Sequence, residues 1–305
     1  MSFTSRQRPP VSARTAAAAA AAAAAALIVA LSACTPAATD SPSGGGSATA
    51  PAAGAAPGLP SAHVHGLSVN GETGQVLLAT HEGLFDMSRN PAVKIGPTND
   101  YMGFTAAGDP DVFYASGHPG AGSDLPNPLG LIKSTDGGRT WQQLSRQKQS
   151  DFHALAATKS GIVAFDGTLR TSVDGETWQS AAVDFVPAVL AAHPAGDAVL
   201  ATTQKGVQRS TDGGTTWTLN VAAPVIQFAS FAGAGKAVGV APDGTVYYSP
   251  DAGVSWEQAG AVSGEVQAIT ATEGTDGKPW IWAATSKGVI VSKDGGASFR
   301  PSDAD

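Results

Sequence analysis

The chain has 305 residues, 25 of them acidic and 18 basic, a formal net charge of −7 at pH 7, and one cysteine. The acidic balance excludes nucleic-acid binding. The lone cysteine excludes an intramolecular disulfide framework.

Residues 1–33 read as a signal peptide: Arg6, Arg8 and Arg14 with no acidic residue, an alanine run from Ala16 to Ala26, then Leu27-Ile28-Val29-Ala30-Leu31. The end of that stretch, Leu31-Ser32-Ala33-Cys34, resembles the bacterial lipobox. That resemblance implies a lipid-bearing Cys34 and a palmitate-type anchor in the outer face of a bacterial cell membrane. A plain secretory signal or an uncleaved anchor is the alternative, the alanine-rich core being weakly apolar and slightly short for a span. Residues 34–60 are mostly Ala, Pro, Ser, Gly and Thr, including Ser43-Gly44-Gly45-Gly46-Ser47, too little apolar surface to offset chain entropy. They read as a flexible tether. Without the three leader arginines, 15 basic residues face 25 acidic ones, a net of −10. Charge therefore does not hold the folded part to an anionic surface, and the acyl chain is the membrane link.

The folded part, 61–305, is organised around a repeated octapeptide. Ser210 to Trp217 reads STDGGTTW, with copies at Ser134–Trp141 (STDGGRTW), Ser172–Trp178 (SVDGETW), Ser249–Trp256 (SPDAGVSW) and Ser292–Phe299 (SKDGGASF). The opening serines are 38, 38, 39 and 43 residues apart, the period of one small β-sheet module. Asp136, Asp174, Asp212, Asp251 and Asp294 can accept backbone N–H groups of their own turns. Gly138, Gly214, Gly253 and Gly296 supply the positive φ of a tight hairpin. Trp141, Trp178, Trp217, Trp256 and Phe299 then cover the hairpin from the returning strand, each indole N–H needing a partner. The pattern resembles the Asp-box, or bacterial neuraminidase repeat. The resemblance implies a structural hairpin between the third and fourth strands of a propeller blade, on the side away from the binding face. It extends to actinobacterial lipoproteins described as sialidase- or glycosylhydrolase-like.

Around each box the chain repeats an apolar strand, a turn, a second apolar strand, a Gly, a third strand ending in Ser, the box and a short fourth strand. A sixth copy, Gly83 to Ser88, loses its box to Arg89-Asn90-Pro91. Six units starting near 63, 101, 152, 187, 225 and 265 predict an all-β, six-bladed β-propeller. The last blade ends on its own outer strand, so closure by a shared strand is not expected.

In a four-stranded meander, turns alternate between the faces. First turns share the face of the boxes, whereas second turns and the links between units share the other. His63, His65, His81, His118 and His153 all fall on that second face in three adjacent blades, beside Asp100, Met102, Asp151 and Glu82; His193 falls on the box side. The second turn of the second unit, His118 to Leu129, is the longest, a length that points to function. Imidazoles and carboxylates at one mouth are ligands for Zn or Cu, with Met102 suited to copper. The same pattern fits ordinary rim histidines satisfied by backbone or water. Asp124 with Glu82 is an acid–base candidate pair, while Trp280 and Trp282 read as core.

Two functions follow. One is a surface-anchored binding module, its mouth taking a metal ion, small ligand, glycan or protein; Asp-box propellers include non-enzymatic receptors and photosystem assembly factors. The other is a glycoside hydrolase of the sialidase kind. The sialidase arginine triad has no counterpart among Arg89, Arg139, Arg146, Arg170, Arg209 and Arg300, none of which begins an inner strand. No catalytic residue is therefore assigned.

Overall fold

A computed structural model describes residues 58–61 and 63–302. The expected signal peptide, Cys34 and most of the expected tether lie outside the described residues.

Among those residues the chain forms six antiparallel four-stranded sheets, each built from four consecutive strands. The inner strands are Val64–Val69, Asp100–Ala106, Ala154–Ala157, Val189–Ala192, Phe228–Gly233 and Val266–Glu273. We number the blades 1 to 6 in that order. Each inner strand packs beside the next, and that of blade 6 packs beside that of blade 1, closing the ring. The expectation of six blades without a shared closing strand is met.

A blade alone cannot bury both faces of its sheet, so the apolar core is divided among the interfaces between blades. Six clusters fill the six gaps. Leu84, Tyr101 and Leu129 lie between blades 1 and 2; Leu131, Phe152 and Ile162 lie between blades 2 and 3. The closing gap holds Val64 and Leu78 of blade 1 against Trp282 and Val291 of blade 6, with Trp280 packed beside them. Trp282 is thus core, and Trp280 is half-buried against the same cluster.

The boxes form as their sequence requires. In blade 2, Ser134 Oγ donates to Asp136 Oδ1 (2.8 Å) and accepts the N–H of Gly138 (2.9 Å). Asp136 also accepts the N–H of Thr140 (2.9 Å) and its hydroxyl (2.6 Å). The same serine-to-aspartate and glycine-to-serine bonds recur from Ser172, Ser210, Ser249 and Ser292. The indole N–H donates to Gly138 O from Trp141 (3.1 Å) and to Gly214 O from Trp217 (2.8 Å). In the box one residue short, Trp178 donates instead to Ser145 Oγ of the preceding blade (2.9 Å). Trp256 departs from the expectation: its indole N–H has no partner, and Gly253 O accepts Asn220 Nδ2 of blade 4 (2.8 Å). Ala252, which replaces a turn glycine, takes the left-handed φ of 55° that the glycine position demands.

Three hydrogen bonds establish which turns share a face. The box N–H groups of Gly137, Gly213 and Ala252 donate to Asp111 O (2.9 Å), Asp197 O (3.0 Å) and Gly235 O (2.8 Å), all in the first turns of their own blades. Boxes and first turns therefore lie on one face, and second turns on the other. A channel of about 840 Å³ runs along the axis, lined by all six inner strands.

Donors crowd the box carboxylates. The hydroxyls of Thr140, Ser255 and Ser298 hold Asp136, Asp251 and Asp294 at about 2, and the backbone N–H of Thr177 leads in holding Asp174 there. Each folded value lies below the unfolded one, near 4. Their stabilising contribution is therefore complete above the unfolded value and is lost as pH falls through about 2. Thermal melts of residues 58–302 should show a midpoint that falls progressively from pH 4 to 2. A midpoint unchanged at pH 2 would remove the boxes as acid-sensitive staples.

Candidate functional site at the channel mouth

The inner strands do not begin regularly. In blades 1, 2 and 6 a β-bulge precedes the first regular pair, placing His65, Met102 and Gln267 as the extra residues. Counting from the first regular pair of each blade aligns His65, Met102, His153, Ala188, Gln227 and Gln267 as one ring around the mouth. Bulges re-aim side chains, and of this ring His65, His153, Ala188 and Gln267 line the channel. The position two residues earlier is His63, Asp100, Asp151, Val186, Val225 and Glu265. That position is polar in blades 1 to 3 and 6 and apolar in blades 4 and 5, where Val186 and Val225 are exposed.

Close approach of the strands fixes this arrangement. A Cβ on Gly66 would lie 2.9 Å from that of Phe104, and one on Gly103 would lie 2.3 Å from Phe152 O. Phe152 N donates to buried Ser116 Oγ (2.9 Å), tying blade 3 to blade 2 beside Asp151.

Two histidine–carboxylate groups result, one per interface. His81 sits in the second turn of blade 1, where Thr80 Oγ1 donates to Gly83 O (2.9 Å), a turn repeated at Thr203 and Thr285. Its Nδ1 lies 2.8 Å from Asp100 Oδ1 of blade 2, and its Nε2 lies 3.2 Å from His65 Nε2. His63 is exposed, its ring edge-on to His81 at 5.3 Å between centroids. Ligand atoms of His65, His81 and Asp100 all fall within 4.8 Å of one another.

The second group repeats the pattern one blade on. His118 ends the second strand of blade 2, and its Nε2 lies 3.2 Å from Asp151 Oδ2 of blade 3. His153 Nε2 approaches the same oxygen at 2.6 Å. His118 Nδ1 meets Asn127 Oδ1 in the long loop at 2.7 Å. Asp151 Oδ1 is buried without a partner, as is Gln267 Oε1.

All five predicted histidines, with Asp100 and Asp151, thus gather at one mouth, in two groups instead of around one point. Met102 shares their ring position but does not line the channel. Glu82 and Asp124 are exposed. His193 lines the channel at its box end, near Glu273. Sequence reading missed Asn127 and Gln267. Aligning the inner strands places Gln267 in register with His65, whereas nothing local marked Asn127 as a partner of His118.

The electrostatics differ between the groups. Burial, then the neighbouring His81, pulls His65 below the usual imidazole value. The Asn127 carbonyl leads in raising His118, with Asp151 and Asp100 adding to it.

Residues 208–219, the third strand and box of blade 4, match the BNR/Asp-box repeat family. The fold is an Asp-box β-propeller. Among solved structures it is similar to a GH74 enzyme from Niastella koreensis, with 20% identity and a TM-score of 0.54 over 78% of this chain and 37% of that one. It is also similar to a GH74 xyloglucanase from Xanthomonas campestris, with 18% identity and a TM-score of 0.53 over 74% and 37%. YCF48 bound to a D1 peptide aligns at 15% identity over 68% of this chain and 83% of that one, with a TM-score of 0.42. At these identities the likeness is one of fold alone, and the chain spans little more than a third of the GH74 enzymes. No curated protein matches the chain.

The Asn127 contact gives a direct test. The His118 ring should titrate above the usual imidazole range by NMR, and Asn127→Ala should lower its midpoint. Being raised in the fold, His118 stabilises fully below its unfolded pKa and loses that contribution as pH rises through the folded one. An unshifted midpoint in the variant would assign the shift elsewhere.

Proposed function

We propose that the protein is an extracytoplasmic binding module, anchored through lipid at Cys34, that holds its ligand at the histidine-rich mouth and does not turn it over. The observation that carries this reading is the convergence of His63, His65, His81, His118 and His153 with Asp100 and Asp151 on the face opposite the boxes. Imidazoles of this kind take a metal ion such as Zn or Cu, or a polar small molecule.

The competing reading is glycoside hydrolysis, which the fold of the GH74 enzymes brings to mind without supplying residues. An arginine clamp for a sugar carboxylate has no support: no arginine is among the channel-lining residues. Arg146 and Arg170 converge on Asp166, Arg139 donates to Asp136 O and Arg209 to Ala252 O.

Incubated with xyloglucan and with fluorogenic glucosides and sialosides, the purified propeller should release no product above buffer; saturable turnover would overturn the non-enzymatic reading. Calorimetric titration with ZnCl₂ and CuCl₂ should give saturable heat that vanishes when all five histidines are alanine in a folded variant. Heat retained by that variant would move the ligand away from the mouth. For the anchor, Cys34→Ala should shift the protein from the membrane fraction to the medium and abolish palmitate labelling, and unchanged membrane retention would refute lipidation.

A further inference from the structure

Resting on the binding reading just given, we propose that the mouth is divided in function: His65 and His81 chelate one divalent zinc or copper ion through their Nε2 atoms, Asp100 orients His81, and His118–Asp151–His153 is a closed hydrogen-bonded group that takes no metal.

The geometry of the first group is that of a chelate. Two nitrogens bound to one metal at about 2.0–2.1 Å and separated by a roughly 90–110° angle lie about 2.9–3.4 Å apart. His65 Nε2 and His81 Nε2 are 3.2 Å apart. With Nδ1–H of His81 donating to Asp100 Oδ1 at 2.8 Å, the neutral ring presents its Nε2 lone pair to His65. This carboxylate–histidine arrangement holds a metal-ligating imidazole in one tautomer and raises its basicity. Both ligands come from backbone positions held by other interactions. His65 is the extra residue of the bulge between Val64 and Gly66, and His81 sits in a turn closed by Thr80 Oγ1 and Gly83 O. No thiolate takes part, and imidazole donors without sulfur suit Zn²⁺ or Cu²⁺. Two protein nitrogens leave further coordination positions toward the channel, so the ion itself offers a contact for an oxygen- or nitrogen-bearing ligand.

The second group differs where it matters. His118 Nε2 and His153 Nε2 point at one oxygen, Asp151 Oδ2, at 3.2 and 2.6 Å. Both nitrogens act there as N–H donors to a carboxylate lying between them, with no pair of lone pairs facing one point. His118 is also tied at Nδ1 to Asn127 Oδ1. The His81–Asp100 and His118–Asp151 pairs occupy equivalent places at neighbouring interfaces, but His65 belongs to the blade of the turn histidine and His153 to that of the aspartate.

The experiment uses residues 58–302, stripped with chelator, dialysed against ZnCl₂ or CuCl₂ and analysed for metal. The wild type should retain one ion per chain, and the Cu²⁺ form should show hyperfine splitting from two imidazole nitrogens in its paramagnetic resonance spectrum. His65→Ala and His81→Ala should each lose stoichiometric metal, Asp100→Asn should weaken affinity by about 10–100-fold, and His118→Ala should leave stoichiometry and affinity unchanged. His81 stands in a turn with its side chain 37% exposed, so its variant keeps the test valid should His65→Ala fail to fold. Metal lost in His118→Ala but kept in His81→Ala would overturn the division while leaving a ligand at the mouth. A wild type without stoichiometric metal would overturn the chelate itself, whereas the glycoside assay alone decides between binding and hydrolysis.

Discussion

Every blade has two apolar faces and no helix to cover them, so the molecule depends on each sheet burying itself against its neighbours until the last meets the first. The closing interface is built like the other five, with Val64 and Leu78 packed on Trp282 and Val291. A closed ring is the state in which no apolar sheet face is left to water. No strand is shared at the seam, and that packing holds blade 6 to blade 1.

The same constraint makes the mouth. Inner strands crowd so closely that Gly66 and Gly103 admit no side chain, and the second turn of one blade comes to rest on the first residues of the next. A histidine in that turn therefore meets whatever stands two residues before the neighbouring ring position. In blades 1 and 2 the neighbour supplies Asp100 and Asp151, and an interblade His–Asp pair forms each time. In blades 4 and 5 that position is Val186 and Val225, side chains that carry no charge to pair. One architectural contact, used with different side chains, gives an ion-pairing position in blades 2 and 3 and an apolar one in blades 4 and 5. The boxes sit on the far face and serve stability: they close hairpins and tie blade to blade, as Trp178 to Ser145 and Asn220 to Gly253.

The pattern of Ser, Asp, Gly and Trp at a period near forty was enough to read six blades, the face of the boxes and the side on which five histidines lie. Those features follow from local rules, since a meander alternates its turns and an Asp-box closes its own hairpin through bonds spanning four residues or fewer. Trp256 shows where local reading stops: its box is intact, yet Asn220 from the previous blade takes the carbonyl that two other tryptophans use.

What the linear order determined, then, is which residues share the mouth. Only the tertiary structure decided how they are partnered. His65 reaches His81 because a bulge turns it there, and His118 and His153 converge on Asp151 because two segments from two blades meet at one seam. Register shifts and contacts between blades depend on packing of the whole ring, a long-range property that no window of sequence carries.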